Sequence, residues 1–169
     1  VAAAGAAVAT PAAPTRAAVR VPDHRRIVLP NGVVLLLMPD REVPLIAFSA
    51  VLRGGASVDP AGKSGLAALT AGLLEKGAGA RDAFQFADAV ADVGGSFSAA
   101  AGAESINVSG QFLKRDRELM VGLLADALLR PRFAQDEFVT LRDREIELIR
   151  AAKDSEPMSV IGSYARAQL

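Results

Sequence analysis

The chain contains no cysteine and no tryptophan, and its 169 residues include a single histidine, His24. Without cysteine there is no disulfide framework, no thiol nucleophile and no cysteine-bound metal. One histidine cannot build a zinc site that needs two, and no Gly-x-Ser-x-Gly turn is present to supply a serine nucleophile. His24 lies in a polar stretch, and we expect it to be a surface residue. Composition therefore excludes most hydrolase chemistries for this chain alone.

An excess of either charge is also missing. Nineteen Lys and Arg balance nineteen Asp and Glu, so the formal net charge is +0. The densest basic cluster, Lys114–Arg117, contains an acidic residue of its own. Because nucleic-acid-binding proteins show a basic excess or stripe, we expect no nucleic-acid partner. No apolar run reaches the roughly 18 residues that a membrane span needs, whereas an apolar content of 51% excludes a wholly disordered chain.

The first part of the chain differs in composition from the rest. Val1–Val19 is rich in alanine, contains two prolines and carries one charge, Arg16. Three interpretations fit: a remnant of an export signal with an Ala/Pro-rich linker, a disordered cloning remnant, or a helix, which the prolines disfavour. We favour a periplasmic or otherwise exported protein, with a cytoplasmic one as the alternative. We assign residues 1–24 to this linker and residues 25–169 to one domain.

Turn signals separate the apolar runs that we interpret as strands. Asn31-Gly32 favours the positive φ angles of a tight turn between two such runs, which predicts a hairpin. A third strand is predicted over Leu45–Leu52. The segment Ser96–Phe112 is interpreted as two further strands around Gly102-Ala103.

Apolar residues at helical spacing predict the first helix after Ser64, the expected N-cap. Leu66, Leu69 and Leu73 share one face of this helix, and we expect that face to pack on the sheet.

Four further helices are predicted along the chain. They begin at Asp82, at Asp116, at Gln135 and after Pro157. Leu119 and Leu123 are expected to turn the helix that begins at Asp116 toward the sheet.

The order of the elements is three strands, two helices, two strands and three helices, which indicates an α+β fold. We expect an antiparallel-rich sheet of at least four strands with helices packed on one face. The helical pattern continues to Leu169 with no cap or closing strand after it. We therefore interpret the domain as C-terminally truncated and expect the chain not to be an isolated stable monomer.

Four blocks of sequence, in the same order, resemble those of the pitrilysin/insulinase (M16) family of zinc peptidases. They are Leu29–Val33, Val51–Ala67, Val93–Ala99 and Leu128–Phe133. In that family a Gly-rich turn ending in Gly-Leu-Ala leads into the metal-binding helix, and the second block ends in the same three residues. The resemblance covers residues 25–169 and implies the LuxS/MPP-like fold of an M16 N-terminal domain.

The resemblance also shows which chemistry this chain has lost. The family carries His-x-x-Glu-His directly after Gly-Leu-Ala, where two imidazoles one turn apart bind Zn²⁺ and the glutamate polarises a water molecule. The matching positions here are Ala68, Ala71 and Gly72, and the third ligand position falls near Ile149. These side chains carry no donor atom. We therefore expect no catalytic residue, no metal ligand and no cofactor in this chain.

The family context implies a role for a domain without the motif. Several M16 systems pair a catalytic subunit with a homologue that lacks it, and the two enclose a peptide-degrading chamber. The resemblance implies a pseudo-peptidase in a heterodimer, with zinc only in the catalytic partner and a peptide as substrate. A complementary C-terminal segment is another expected partner. The alternative is a structural or peptide-binding module with no role in proteolysis.

Ser98, Ala99 and Ala100 are the candidate peptide-binding residues. In active relatives the corresponding strand lies at the cleft, and an extended substrate can add to it as another strand. Small side chains would let a peptide backbone approach closely. The alternative is an ordinary position within the sheet.

Overall fold

The computed structural model describes residues 23–155. The chain divides into two compact units, one up to Val43 and the other from Pro44 onward. His24, in the first unit, is exposed as expected. No helix among the described residues combines the length and the apolar character needed to cross a membrane.

The first unit contains the predicted hairpin. Strand β1 (Arg25–Val28) pairs antiparallel with strand β2 (Val34–Leu37). The Gly32 N–H donates to the Leu29 carbonyl at 2.9 Å, and Gly32 adopts a φ of +84°. Glycine takes up this left-handed conformation at little cost because it has no Cβ. The Asn31-Gly32 signal therefore predicted the hairpin correctly, although Gly32 alone, and not Asn31, adopts a positive φ.

Three strands of the second unit form an antiparallel sheet. They are β3 (Leu45–Arg53), β4 (Ser96–Ala101) and β5 (Ser105–Leu113), with β5 between the other two. The expectation of one sheet with at least four strands is wrong for residues 23–155, because the hairpin forms a separate two-stranded sheet. A tight turn lets a hairpin pair locally, and a strand pattern does not specify which further edge it joins.

The second unit has four α-helices among its described residues, which together with the sheet give the predicted α+β class. They are α1 (Leu66–Leu73), α2 (Ala83–Ala91), α3 (Arg117–Leu129) and α4 (Gln135–Ser155). Asp82 caps α2 as predicted, since its side chain accepts the Gln85 N–H at 2.8 Å while the Gln85 side chain accepts the Asp82 N–H. The expected helix after Pro157 lies outside the described residues.

The core lies between the sheet and helices α2 and α3. Phe86 of α2, Phe112 of β5 and Leu123 of α3 have at most 2% of their surface exposed. The rings of Phe86 and Phe97 meet edge to face with 5.1 Å between centroids, a geometry that aromatic pairs favour. Leu119 packs against the same cluster, which confirms the predicted sheet-facing side of α3.

Helix α1 packs on β4, β5 and α4, and its buried face overlaps only in part with the predicted one. Its closest-packed residues include Ala67 and Ala71, which are buried, and Leu73 is buried too. Leu69 is half-buried, and Leu66 is 43% exposed. The expectation is thus correct for Leu73 and wrong for Leu66. Small alanine side chains let the helix backbone approach its neighbours closely. The alanines therefore face the sheet and α4, and Leu66 remains exposed to solvent.

The segment between α1 and α2 is held by a buried carboxylate on α3. Asp126 is 8% exposed, and it pairs with Arg81 at 3.6 Å and with Arg130. Gly79 lies against this carboxylate with a φ of +59°, and a Cβ there would be 2.5 Å from Asp126 Oδ2. A larger residue would therefore displace the ion pairs that fix this segment, which follows directly on the C-terminal end of α1.

Candidate functional site

The N-terminal end of α1 is fixed by an aspartate from the preceding loop. The two carboxylate oxygens of Asp59 accept the N–H of Gly65 at 2.8 Å and of Ala67 at 2.9 Å. Gly65 is the N-cap residue and has a left-handed φ of +96°, with no side-chain cap of its own. The expectation that Ser64 caps this helix is therefore wrong. A carboxylate several residues upstream satisfies the free N–H groups instead.

The positions that match the zinc motif lie on α1 against α4. Ala68 is exposed, and Ala71 is 1% exposed. A Cβ placed on Gly72 would lie 2.8 Å from Leu141 Cδ2 of α4, so a side chain at this position would have to displace the leucine. Methyl groups and a hydrogen offer no lone pair to a metal. The residues present therefore do not fit a zinc ion, and the packing at Gly72 suits a short side chain.

The region of α4 expected to match the third ligand does not supply a metal site either. Ile149 is 52% exposed. Glu147 pairs with Arg150 at 2.6 Å on the exposed surface, and Glu145 is exposed as well. Among residues 23–155, no group of three or more His, Cys, Asp or Glu side chains is arranged to bind a metal.

The three candidate peptide-binding residues lie on β4, which is an edge strand of the described sheet. The side chains of Ser98 and Ala100 are exposed, and the Ser98 hydroxyl lies 3.1 Å from that of Ser109 on β5. Ala99 is half-buried, and its N–H donates to Glu75 Oε1 at 2.6 Å. Glu75 follows the C-terminal end of α1. Its sequence context, Glu75-Lys76, predicts a solvated helix face, whereas the structure has Glu75 half-buried and bonded to β4.

Backbone groups along an antiparallel strand point alternately to the two sides. Beyond the end of β4, the Gly102 N–H donates to the Ser105 carbonyl at 2.8 Å. Ser98 and Ala100 lie four and two residues before Gly102 on the alternating strand, so their N–H and carbonyl groups also point to β5. Ala99 lies between them, so its N–H and carbonyl groups point to the open edge of β4. This direction agrees with the bond from its N–H to Glu75. Of the three candidates, Ala99 alone directs its backbone groups to the open edge, and its N–H is already bonded to Glu75.

The face of the sheet opposite the helices carries mainly small and polar side chains, together with the exposed apolar residues Leu45 and Val51. Ser49 of β3 donates to Asn107 Oδ1 of β5 at 3.0 Å, and Ser96 of β4 accepts the Gln111 N–H at 3.1 Å. The side chains on this face are exposed or half-buried. Sequence reasoning followed the apolar alternation of the strands and missed this polar face. The same period of two, read for Ser, Asn and Gln, would have found it.

A shallow cavity of about 400 Å³ lies at the opposite end of β4 from the Gly102 turn. The residues that line it are Leu45, Val93–Ser96 and Gln111–Leu113. None of these has an ionisable side chain. With no general acid, general base or metal ligand, this cavity does not provide a catalytic site.

The described residues form an α+β domain with an open strand edge, and the helix positions that match the zinc motif carry no donor atoms. These are the features expected of a metallopeptidase-like domain that lacks the zinc-binding side chains. The particular family follows from a sequence comparison. The family model described as insulinase (peptidase family M16) matches residues 44–166. The chain therefore belongs to the M16 family, as its sequence blocks predicted.

Individual relatives agree with this assignment. An uncharacterized zinc protease of Mycobacterium leprae is 31% identical over 147 residues, which cover 85% of this chain and 32% of that protein. A structure described as the M16 peptidase inactive domain from Pseudomonas fluorescens superposes with a TM-score of 0.72 at 22% identity, covering 78% of this chain and 32% of that one. A protease from Helicobacter pylori gives 0.71 at 22% identity, with 79% and 32% covered. The chain thus spans 32% of the length of each of these relatives.

Proposed function

We propose that this chain is a non-catalytic M16 subunit that pairs with a zinc-containing catalytic homologue and helps to form a peptide-degrading chamber. The observation that carries the proposal is the α1 helix, where Ala68, Ala71 and Gly72 replace the motif. Leu141 of α4 packs against Gly72. The packing of α1 against α4 is therefore compatible with the absence of a side chain at this position.

Two comparisons bear on this proposal. The Pseudomonas fluorescens relative is described as an inactive domain, which makes a domain of this fold without activity a known arrangement. The Mycobacterium leprae relative is named a zinc protease, and that name belongs to a protein of which the match covers 32%. Peptidase activity in such a longer protein does not require a zinc motif in the matched part.

In this proposal the chain forms part of the chamber wall and contacts the substrate, and it takes no part in the hydrolysis itself. The open edge of β4 at Ala99 would hold an extended peptide by backbone hydrogen bonds. Ser98 and Ala100 would contribute through their small, exposed side chains on the polar face of the sheet. A periplasmic or otherwise exported location, a heterodimer and a zinc ion confined to the partner are parts of the same proposal.

The test compares activity and metal content of the chain alone and in the pair. The partner to use is a homologue that is encoded beside this chain and carries an intact His-x-x-Glu-His. We expect the chain alone to cleave no unstructured peptide and to hold no stoichiometric zinc after dialysis. Mixing it with the homologue should raise peptide cleavage above that of the homologue alone. Replacing the motif glutamate of the homologue by glutamine should abolish cleavage by the pair.

Each result separates one possibility from the others. Chelator-sensitive cleavage by this chain alone, or one zinc ion per chain that is lost when α1 is mutated, would contradict the assignment as non-catalytic. A pair that binds peptide without any gain in cleavage would favour the alternative, a structural or peptide-binding module. Zinc held weakly through His24 would not count, because one imidazole makes an incomplete site.

A further inference from the structure

Glu75 places a carboxylate at the open edge of β4. Its Oε1 accepts the Ala99 N–H at 2.6 Å, and both residues are half-buried. None of the ion pairs found among residues 23–155 includes Glu75. The negative charge at this edge is therefore balanced by a backbone donor and by no cationic side chain of the described part of the chain.

The bonded N–H is the group that a peptide strand would need. A strand that adds to β4 takes the outward-pointing N–H groups with its own carbonyl oxygens. At Ala99 that position is occupied, so the incoming carbonyl must displace the Glu75 carboxylate. A charged, half-buried acceptor that loses its donor is costly to leave unpaired. The peptide must then supply a new donor to Glu75.

A lysine or arginine side chain on the peptide would supply that donor together with the opposite charge. Ala99 turns its side chain to the face of the sheet covered by helices, and α1, which Glu75 follows, packs on β4 from that face. The peptide residue opposite Ala99, pointing to the same face, would therefore meet the displaced carboxylate. A charge-assisted hydrogen bond there would replace the bond that the peptide backbone breaks.

We propose that Glu75 is a specificity-determining residue of the β4 edge and selects extended peptides with a cationic side chain opposite Ala99. This inference rests on the proposed role of the β4 edge in binding peptides. The Glu75 carboxylate complements a cationic side chain. Neutral peptides would displace Glu75 without compensating it, and acidic peptides would be repelled by it.

The experiment measures binding of three matched peptides by calorimetry. The peptides are extended, share one neutral sequence and differ at a single central residue, which is Lys, Gln or Glu. We expect the wild-type chain to bind the Lys peptide at least about tenfold more tightly than the Gln peptide. Glu75→Gln keeps an acceptor for the Ala99 N–H but removes the charge, so the preference should fall to within about twofold.

A matched control removes the same charge elsewhere. Glu118, whose side chain is 92% exposed on α3, is changed to Gln. This variant should keep the full preference for the Lys peptide. A preference that persists in Glu75→Gln, or that falls equally in both variants, would overturn the inference, because net charge would then explain it.

A peptide-free measurement tests the contact itself. Amide hydrogen exchange followed by NMR should show slow exchange at Ala99 in the wild type and in Glu75→Gln, and faster exchange in Glu75→Ala. Unchanged exchange in Glu75→Ala would overturn the Glu75–Ala99 contact and the inference with it. If the wild type binds peptides without charge preference, only this inference fails. If no peptide binds the wild type or any variant, the proposed peptide-binding role fails as well.

Discussion

Leu123 and Leu129 lie on the same helix, α3, in opposite environments. Leu123 has 0% of its surface exposed, and Leu129 has 78%. Leu123→Ala leaves a cavity beside Phe86 and Phe112, so we expect the free energy of unfolding to fall by about 2–5 kcal/mol. Leu129→Ala makes the same chemical change in solvent and should alter it by less than about 0.5 kcal/mol. Denaturant unfolding followed by circular dichroism measures both, and equal losses would contradict the core described above.

Single residues also mark the limit of what a sequence can predict about this site. The loss of the metal-binding side chains could be recognised directly, because Ala68 and Gly72 have no donor atom whatever surrounds them. The contact between Glu75 and Ala99 could not be predicted from the sequence, since the two residues are 24 positions apart. They meet only because α1 ends beside the edge of β4. From sequence alone, a charged residue at the end of a helix is predicted to be solvated, because its partner from another element is not known.

At the scale of elements, the N-terminal end of α1 distinguishes the sequence prediction from the structure. Asp59 accepts two N–H groups of this helix start, whereas Ser64 makes no cap. We expect Asp59→Ala to lower the free energy of unfolding by about 1 kcal/mol, as for other lost helix caps. Ser64→Ala should have almost no effect. Thermal or denaturant unfolding of both variants measures this, and a larger loss for Ser64→Ala would restore the original prediction.

Elements were predicted best where the signal is local. The Asn31-Gly32 turn and the Asp82 cap act within a few residues, and both were correct. The buried face of α1 was predicted from its largest apolar residues, but Ala71 is buried and Leu66 is 43% exposed. That choice depends on how closely α1 can approach β4 and α4, which is a property of the packed structure. The division of strands between two sheets is non-local for the same reason.

At the scale of the whole molecule, the proposed chamber needs more surface than this domain alone presents. The described sheet has helices on one face, and its other face is accessible and carries mainly small and polar side chains. Such a domain can line a chamber but cannot enclose one, and the chain spans 32% of the length of its relatives. Further domains of the same fold would have to supply the remaining walls. This requirement is why the proposed function includes a partner.

Exposed pairing surfaces predict association of the isolated chain. Both edge strands of the described sheet, β3 and β4, lack a further strand among residues 23–155. The hairpin exposes apolar side chains along its length, including Val34, Leu36 at 60% and Met38 at 63%. Unpaired strand edges and exposed apolar patches both favour contact between chains. We therefore expect analytical ultracentrifugation at micromolar concentration to show self-association, unless a complementary chain covers these surfaces.

Two matched variants locate the surface responsible. Leu36→Lys places a charge on the apolar hairpin, and Ala91→Lys places one at an exposed small residue of α2. Charge on an exposed strand opposes pairing with another chain, so Leu36→Lys should shift the sedimentation distribution toward the monomer. Ala91→Lys should leave the distribution unchanged, because it affects no strand edge and removes no large apolar side chain. A wild-type chain that sediments as a clean monomer and unfolds cooperatively would show that these surfaces do not drive association.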